Sequence, residues 1–161
     1  MARSPSSRPL LLSVLDRLID DSPEASREAP LGEAQFEREF RASIRRDVEN
    51  LLNTRVRFLA APPEATELRR SSYEYGAPDF SGANLATRKR RAEHLKLIEA
   101  ALKANEPRFK TVKVVAVDDS ERSDRTLHFR IEALVHAEPA PESLTLDSRV
   151  DPLTRSFHVR L

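Results

Sequence analysis

The sequence predicts an α+β fold in which N-terminal helices pack on a small antiparallel C-terminal β-sheet. Three observations carry this. Apolar residues recur at helical spacing through the first two thirds of the chain, and they alternate with polar residues in the last third. A proline, Pro107, stands where one pattern gives way to the other. The 161 residues suit one domain, read as 10–161 behind a disordered segment at 1–9. With 39% hydrophobic and 33% charged residues, the chain is expected to carry long polar segments or to complete its packing on partners.

Taken in order, Leu11, Leu15, Leu18 and Ile19 are spaced for a short helix from about Leu10 to Ile19. Ser22-Pro23 and Ala29-Pro30 mark a loop after it. A second helix is predicted by Phe36, Phe40, Ile44, Val48, Leu51 and Leu52, ending near Asn53-Thr54. Glu33, Glu37 and Glu39 lie toward its positive end, and Arg38, Arg41, Arg45 and Arg46 fill its polar face. From Ala60 to Asn84 the turn residues Pro62-Pro63, Gly76, Pro78 and Gly82 predict an irregular loop, with Tyr73, Tyr75 and Phe80 as its contacts to the core. A third helix is predicted from about Ala86 to Asn105, with Leu95, Ile98, Ala101 and Leu102 as its stripe. Its first turn carries Arg88-Lys89-Arg90-Arg91, against the helix dipole.

The β region begins with Val112, Val114 and Ala116, followed by Leu127, Phe129, Ile131, Ala133 and Val135, which predicts an antiparallel hairpin across the polar stretch Asp118–Arg125. Leu144 and Leu146 predict a short strand, and Phe157, Val159 and Leu161 the last one, whose outer edge is expected to be open. At the helix-to-strand corner, Glu106-Pro107-Arg108 sets opposite charges on either side of a rigid residue. That pattern describes a helix stop with two solvated charges or, in place of it, a docking point for a partner, and taken alone it favours the helix stop.

Composition argues against several functions. No cysteine is present, so disulfides, thiolate metal sites and a cysteine nucleophile are excluded. The net charge of +1 creates no overall field for nucleic acid or membrane. No apolar run approaches the roughly 18 residues of a membrane span, and Leu10–Leu15 is too short and too quickly broken for a signal peptide. A cytoplasmic protein is expected. The glycines Gly32, Gly76 and Gly82 form no phosphate-binding loop. His94, His128, His136 and His158 share no metal-ligand spacing, so no cofactor or metal is expected. A glycosidase needs two carboxylates about 5–10 Å apart, one of them protonated. Arg108 beside Glu106 would keep that carboxylate ionised instead. The basic run at 88–91 is the one feature that would suit nucleic acid, and it has no aromatic platform beside it.

Several segments together resemble the TssE family of type VI secretion baseplate subunits, which is related to the small wedge proteins of contractile phage baseplates. They are Ser13–Leu18, Ile44–Arg55, Tyr75–Ser81, Glu106-Pro107-Arg108 and Leu146–Asp151, in this order. Thr154-Arg155 departs from the pattern, since the family often has a glycine in that turn. The resemblance implies a non-enzymatic structural part of a contractile machine, in the cytoplasm within a membrane-docked baseplate. It implies that Glu106, Pro107 and Arg108 dock a TssF/TssG wedge in a TssK-containing baseplate. It further implies that the last strand, with Phe157, Val159 and Leu161, offers itself to TssB/TssC sheath subunits by β-augmentation. The competing expectation is a peptidoglycan hydrolase, after the historical label "lysozyme-like" of the phage relatives.

Overall fold

The computed structural model describes residues 12–19, 23–24, 32–56, 62, 64–68, 71–78, 87–117, 127–137, 141–151, 154 and 156–161. The helices are α1 (Val14–Leu18), α2 (Glu33–Asn53) and α3 (Arg88–Asn105), with a 3₁₀ turn at Ser72–Glu74. They precede β1 (Phe109–Ala116), β2 (Leu127–Val135), β3 (Glu142–Val150) and β4 (Phe157–Arg160). The strands form one antiparallel sheet in sequential order. The fold is α+β, as the sequence predicts.

The apolar stripe of α2 explains its place. Phe40, Ile44, Val48, Leu51 and Leu52 are buried, and α2 meets Leu95, Ile98 and Leu102 of α3 over the inner face of the sheet. That face presents Leu127, Phe129, Ile131, Ala133 and Val135 from β2, Leu144, Leu146 and Val150 from β3, and Phe157 and Val159 from β4. Burying each large side chain stabilises the fold by about 1.5–3 kcal/mol. Phe129 and Phe157 meet edge to face at 6.1 Å in this core.

Five expectations are corrected. α1 is shorter than Leu10–Ile19, and Val14, Leu15, Leu18 and Ile19 are exposed, so its apolar residues do not enter the core. Leu10 and Leu11 lie outside the described residues. The strand expected at Leu144 and Leu146 extends over Glu142–Val150, with Leu144, Leu146, Ser148 and Val150 buried in alternation with exposed Thr145, Asp147 and Arg149. The last strand stops at Arg160, leaving Leu161 exposed. The loop before α3 is anchored by backbone as well as by side chains, with Tyr73 and Tyr75 only partly buried. Ala77 N donates to Thr54 O at 2.8 Å and Val56 N to Ala77 O at 3.1 Å, forming a parallel bridge that buries Ala77. Phe80 lies outside the described residues. Gly76 makes this approach possible: its φ is +131°, and a Cβ there would stand 2.5 Å from Thr54 O.

The fifth correction concerns the edge of β4. Phe157 and Val159 turn their backbone groups away from β3, where α2 side chains meet them. Asn53 Nδ2 donates to Phe157 O at 3.0 Å, and Phe157 N donates to Asn53 Oδ1 at 2.8 Å. Val159 N donates to Glu49 Oε1 and Arg45 Nη1 donates to Val159 O, both at 3.4 Å. Positions 45, 49 and 53 lie one helical turn apart on α2, so their side chains occupy the place of a fifth strand. Asp151 bonds both Thr154 and Ser156 ahead of β4. Asp151 Oδ1 accepts from Thr154 N at 3.2 Å, and Asp151 N donates to Ser156 O at 2.9 Å.

Candidate partner-docking corner

α3 ends where Pro107 requires it to. Glu106 leaves helical conformation at φ −113° and ψ 91°, while its N–H still donates to Leu102 O at 2.9 Å. Phe109 N donates to Glu106 O at 3.2 Å, closing the turn, and His136 N donates to Arg108 O at 2.9 Å, starting the ladder between β1 and β2. Glu106, Pro107 and Arg108 therefore form a corner fixed by helix on one side and sheet on the other.

The two charged side chains turn inward. Glu106 is buried at 6% exposure, whereas Pro107 is exposed. Arg108 Nε donates to Glu106 Oε1 at 2.7 Å and Nη2 to Oε2 at 2.6 Å, a bidentate pair. The Arg108 N–H adds a third bond to Oε1 at 3.1 Å. The same guanidinium reaches α2, with Nη2 donating to Asp47 Oδ2 at 2.7 Å and Nη1 to Ser43 Oγ at 3.1 Å. Ser43 Oγ in turn donates to Asp16 of α1, which also accepts from Arg46. Ser13 caps α1 and donates to Asp16 Oδ2 at 2.6 Å. One polar network thus ties α1, α2 and the corner together. The alternative of a helix stop with two solvated charges is set aside by this burial.

Electrostatics agree with that assignment. Burial alone pushes the Arg108 guanidinium down, but its hydrogen bonds and charge attraction to Glu106 and Asp47 reverse this and hold it above the ordinary arginine value. Burial raises the Tyr75 phenol, and the negative charges of Asp47 and Glu106 raise it further.

Beside the corner lies a cleft of about 970 Å³, with Leu12, Val14, Tyr75, Pro107, His136 and Pro141 among its lining. Its walls are mostly apolar, and Glu106, Arg108 and Asp47 stand at one side. Such a hollow suits a docking element of another protein, with apolar contact at its floor and a few fixed polar groups for register.

A family comparison decides what kind of protein carries this corner. The family model for "Baseplate wedge protein gp25" matches residues 38–140, from α2 through the corner to the end of β2 and beyond. The chain belongs to the gp25 baseplate wedge family. It is therefore a structural baseplate component, and the family assembles with other baseplate parts. The resemblance drawn from the sequence is borne out at this level. A comparison with curated proteins found none that matches. The gp25 match includes Ser43, Asp47 and all three corner residues, whereas Asp16, β3 and β4 lie outside it.

Sequence reasoning singled out Glu106, Pro107 and Arg108 but missed Ser43 and Asp47 as partners of Arg108, and Asp16 as the partner of Ser43. Asp47 stands 61 positions from Arg108, and nothing in local spacing joins them. The available signal was an aspartate among the polar residues of α2 that fall next to its buried stripe. Phe157 and Val159 are core residues with engaged backbones, as described above, and Leu161 stands apart from the corner in the exposed C-terminal position. Among the described residues, no helix is long and apolar enough to cross a membrane.

Proposed function

We propose that this chain is the TssE-type subunit of a type VI secretion baseplate, a non-enzymatic adaptor that links a TssF/TssG wedge to the sheath and seeds TssB/TssC polymerisation. Residues 10–161 act as one domain, in the cytoplasm, within a membrane-docked baseplate that also contains TssK. The observation that carries this reading is the Glu106–Arg108 corner, a buried ion-pair network opening directly onto a large cleft. Glu106 and Arg108 hold the corner rigid, and Pro107 with the cleft walls makes the contact. Preorganisation of this kind lowers the entropic cost of docking.

Both carboxylate oxygens of Glu106 are engaged by Arg108, which leaves neither free to face a substrate. This supports the adaptor over the hydrolase. For the sheath contact, β1 supports strand addition better than β4. The one side-chain hydrogen bond reaching the outer edge of β1 among the described residues runs from Val114 N to Glu99 Oε2 at 2.9 Å. Strand addition at β4 would have to displace Asn53, Glu49 and Arg45.

The experiment is co-expression with TssF and TssG followed by affinity purification. Pro107→Ala and Val14→Asp, which leave the ion pairs in place, should weaken recovery of the wedge while the fold persists. Full recovery with both variants would reject the cleft as the wedge site.

A further inference from the structure

The outer face of the sheet, opposite the core, carries a concentration of cations that the adaptor reading does not use. In register, His128 of β2, Arg149 of β3 and His158 of β4 form one row across three strands. The next row is Arg130, Asp147 and Arg160. Arg130 and Asp147 satisfy each other at 2.8 Å. Arg149 and Arg160 are exposed and have no ion-pair partner among the described residues. Farther along the same face the charges are compensated, as where Lys113 stands opposite Glu132. Like charges in cross-strand register destabilise a sheet, and opposite charges stabilise it. Arg149 has no carboxylate opposite it on either neighbouring strand.

A shallow hollow of about 260 Å³ lies over these two rows. His128 Nε2 is shielded from solvent there and has no hydrogen-bond partner.

We propose that this face binds an acidic, extended segment of a partner protein, its carboxylates seated on Arg149 and Arg160. Arg149 and Arg160 are diagonal neighbours on adjacent strands, about 7–8 Å apart, close to the ~6.8 Å between alternate side chains of an extended peptide. Arginine forks pair bidentately with carboxylates. Two features favour a protein segment over a nucleic acid. No phenylalanine, tyrosine or tryptophan ring stands on this face among the described residues to form a stacking platform for bases. Asp147, at the centre of the second row, also repels a continuous run of phosphates, whereas a peptide can set a neutral or donor side chain opposite it.

The test is fluorescence anisotropy of the full-length protein with a labelled glutamate-rich peptide, at low and at physiological ionic strength. An oligothymidylate of equal charge and anionic phosphatidylserine vesicles are titrated alongside. Saturable, salt-sensitive peptide binding is expected, and R149S/R160S should weaken it by about tenfold. A control change at Lys89 and Arg90 to serine should leave it unaltered. Both changes lie on exposed positions, and an unchanged thermal midpoint establishes that the fold is retained. In ¹H–¹⁵N spectra, peptide should shift His128, Arg149 and His158. Absence of saturable binding, equal affinity in R149S/R160S, shifts centred on the Glu106–Arg108 corner, or tighter binding of the oligonucleotide or vesicles would each overturn the proposal.

Discussion

Asn53, the last residue of α2, brackets the backbone of Phe157: its side-chain amide donates to Phe157 O at 3.0 Å and accepts from Phe157 N at 2.8 Å. One side chain thereby satisfies both outward-facing groups of an edge-strand residue, as a neighbouring strand would. Asn53→Ala removes both bonds. The expected loss is about 1–3 kcal/mol, since each backbone group then lacks its partner. Urea unfolding should show it, and faster amide exchange at Phe157 and Val159 should locate it. Asn53→Asp keeps the acceptor and should retain part of the stability. Unchanged exchange in the alanine variant would mean that β4 does not depend on this bracket.

Arg108→Ala leaves Glu106 buried without its counter-ion and takes a partner from Asp47. Because both sites keep partial access to water, the expected cost is about 2–4 kcal/mol, toward the lower end for a broken buried pair. Arg108→Lys should recover little, because an ammonium cannot bond both Glu106 oxygens and Asp47 in the planar geometry observed. Chemical denaturation of the three proteins checks this. A lysine variant as stable as the parent would show that charge alone suffices.

Tyr75 predicts a pH dependence. Its folded-state pKa is raised above 10.0 by burial first and then by Asp47 and Glu106. The folded protein therefore holds the phenolic proton more tightly than the unfolded chain does. The linked stability is fully present below pH 10 and is lost as pH rises through the folded value. Tyr75→Phe should flatten this part of the profile. Denaturation midpoints from pH 8 upward would reveal it, and an identical decline in both proteins would refute the assignment.

Gly76→Ala should be costly although it adds a single methyl group. The new Cβ would meet Thr54 O at 2.5 Å, and the backbone at φ +131° suits glycine alone. A loss of about 1–3 kcal/mol is expected. Release of the Thr54–Ala77 bridge should accompany it, seen as loss of amide protection at Ala77. Gly32→Ala serves as the comparison, since a Cβ there meets nothing within 4 Å.

Much of the fold was legible in one dimension because burial periodicity is local. α2 shows its buried stripe at three- and four-residue steps, and β2 alternates without exception from Leu127 to Val135. α1 misled for the same reason. Its leucines match a helical period, yet the helix is held by Asp16 on Ser43 and Arg46, a polar attachment that periodicity does not report.

By itself, the sequence determined the order and type of the elements, the corner at Pro107 and the absence of thiol chemistry. It did so because backbone sterics and the period of apolar residues act over a few positions. The tertiary structure decided which way the charges point. Glu106 and Arg108 read more readily as solvated ends than as a docking pair until Asp47 and Ser43, brought over by α2, turned them into a buried network. The edge of β4 was decided in the same way, by Asn53, which lies 104 positions away. A hydrogen bond depends on distance in space, and separation along the chain carries almost no information about it.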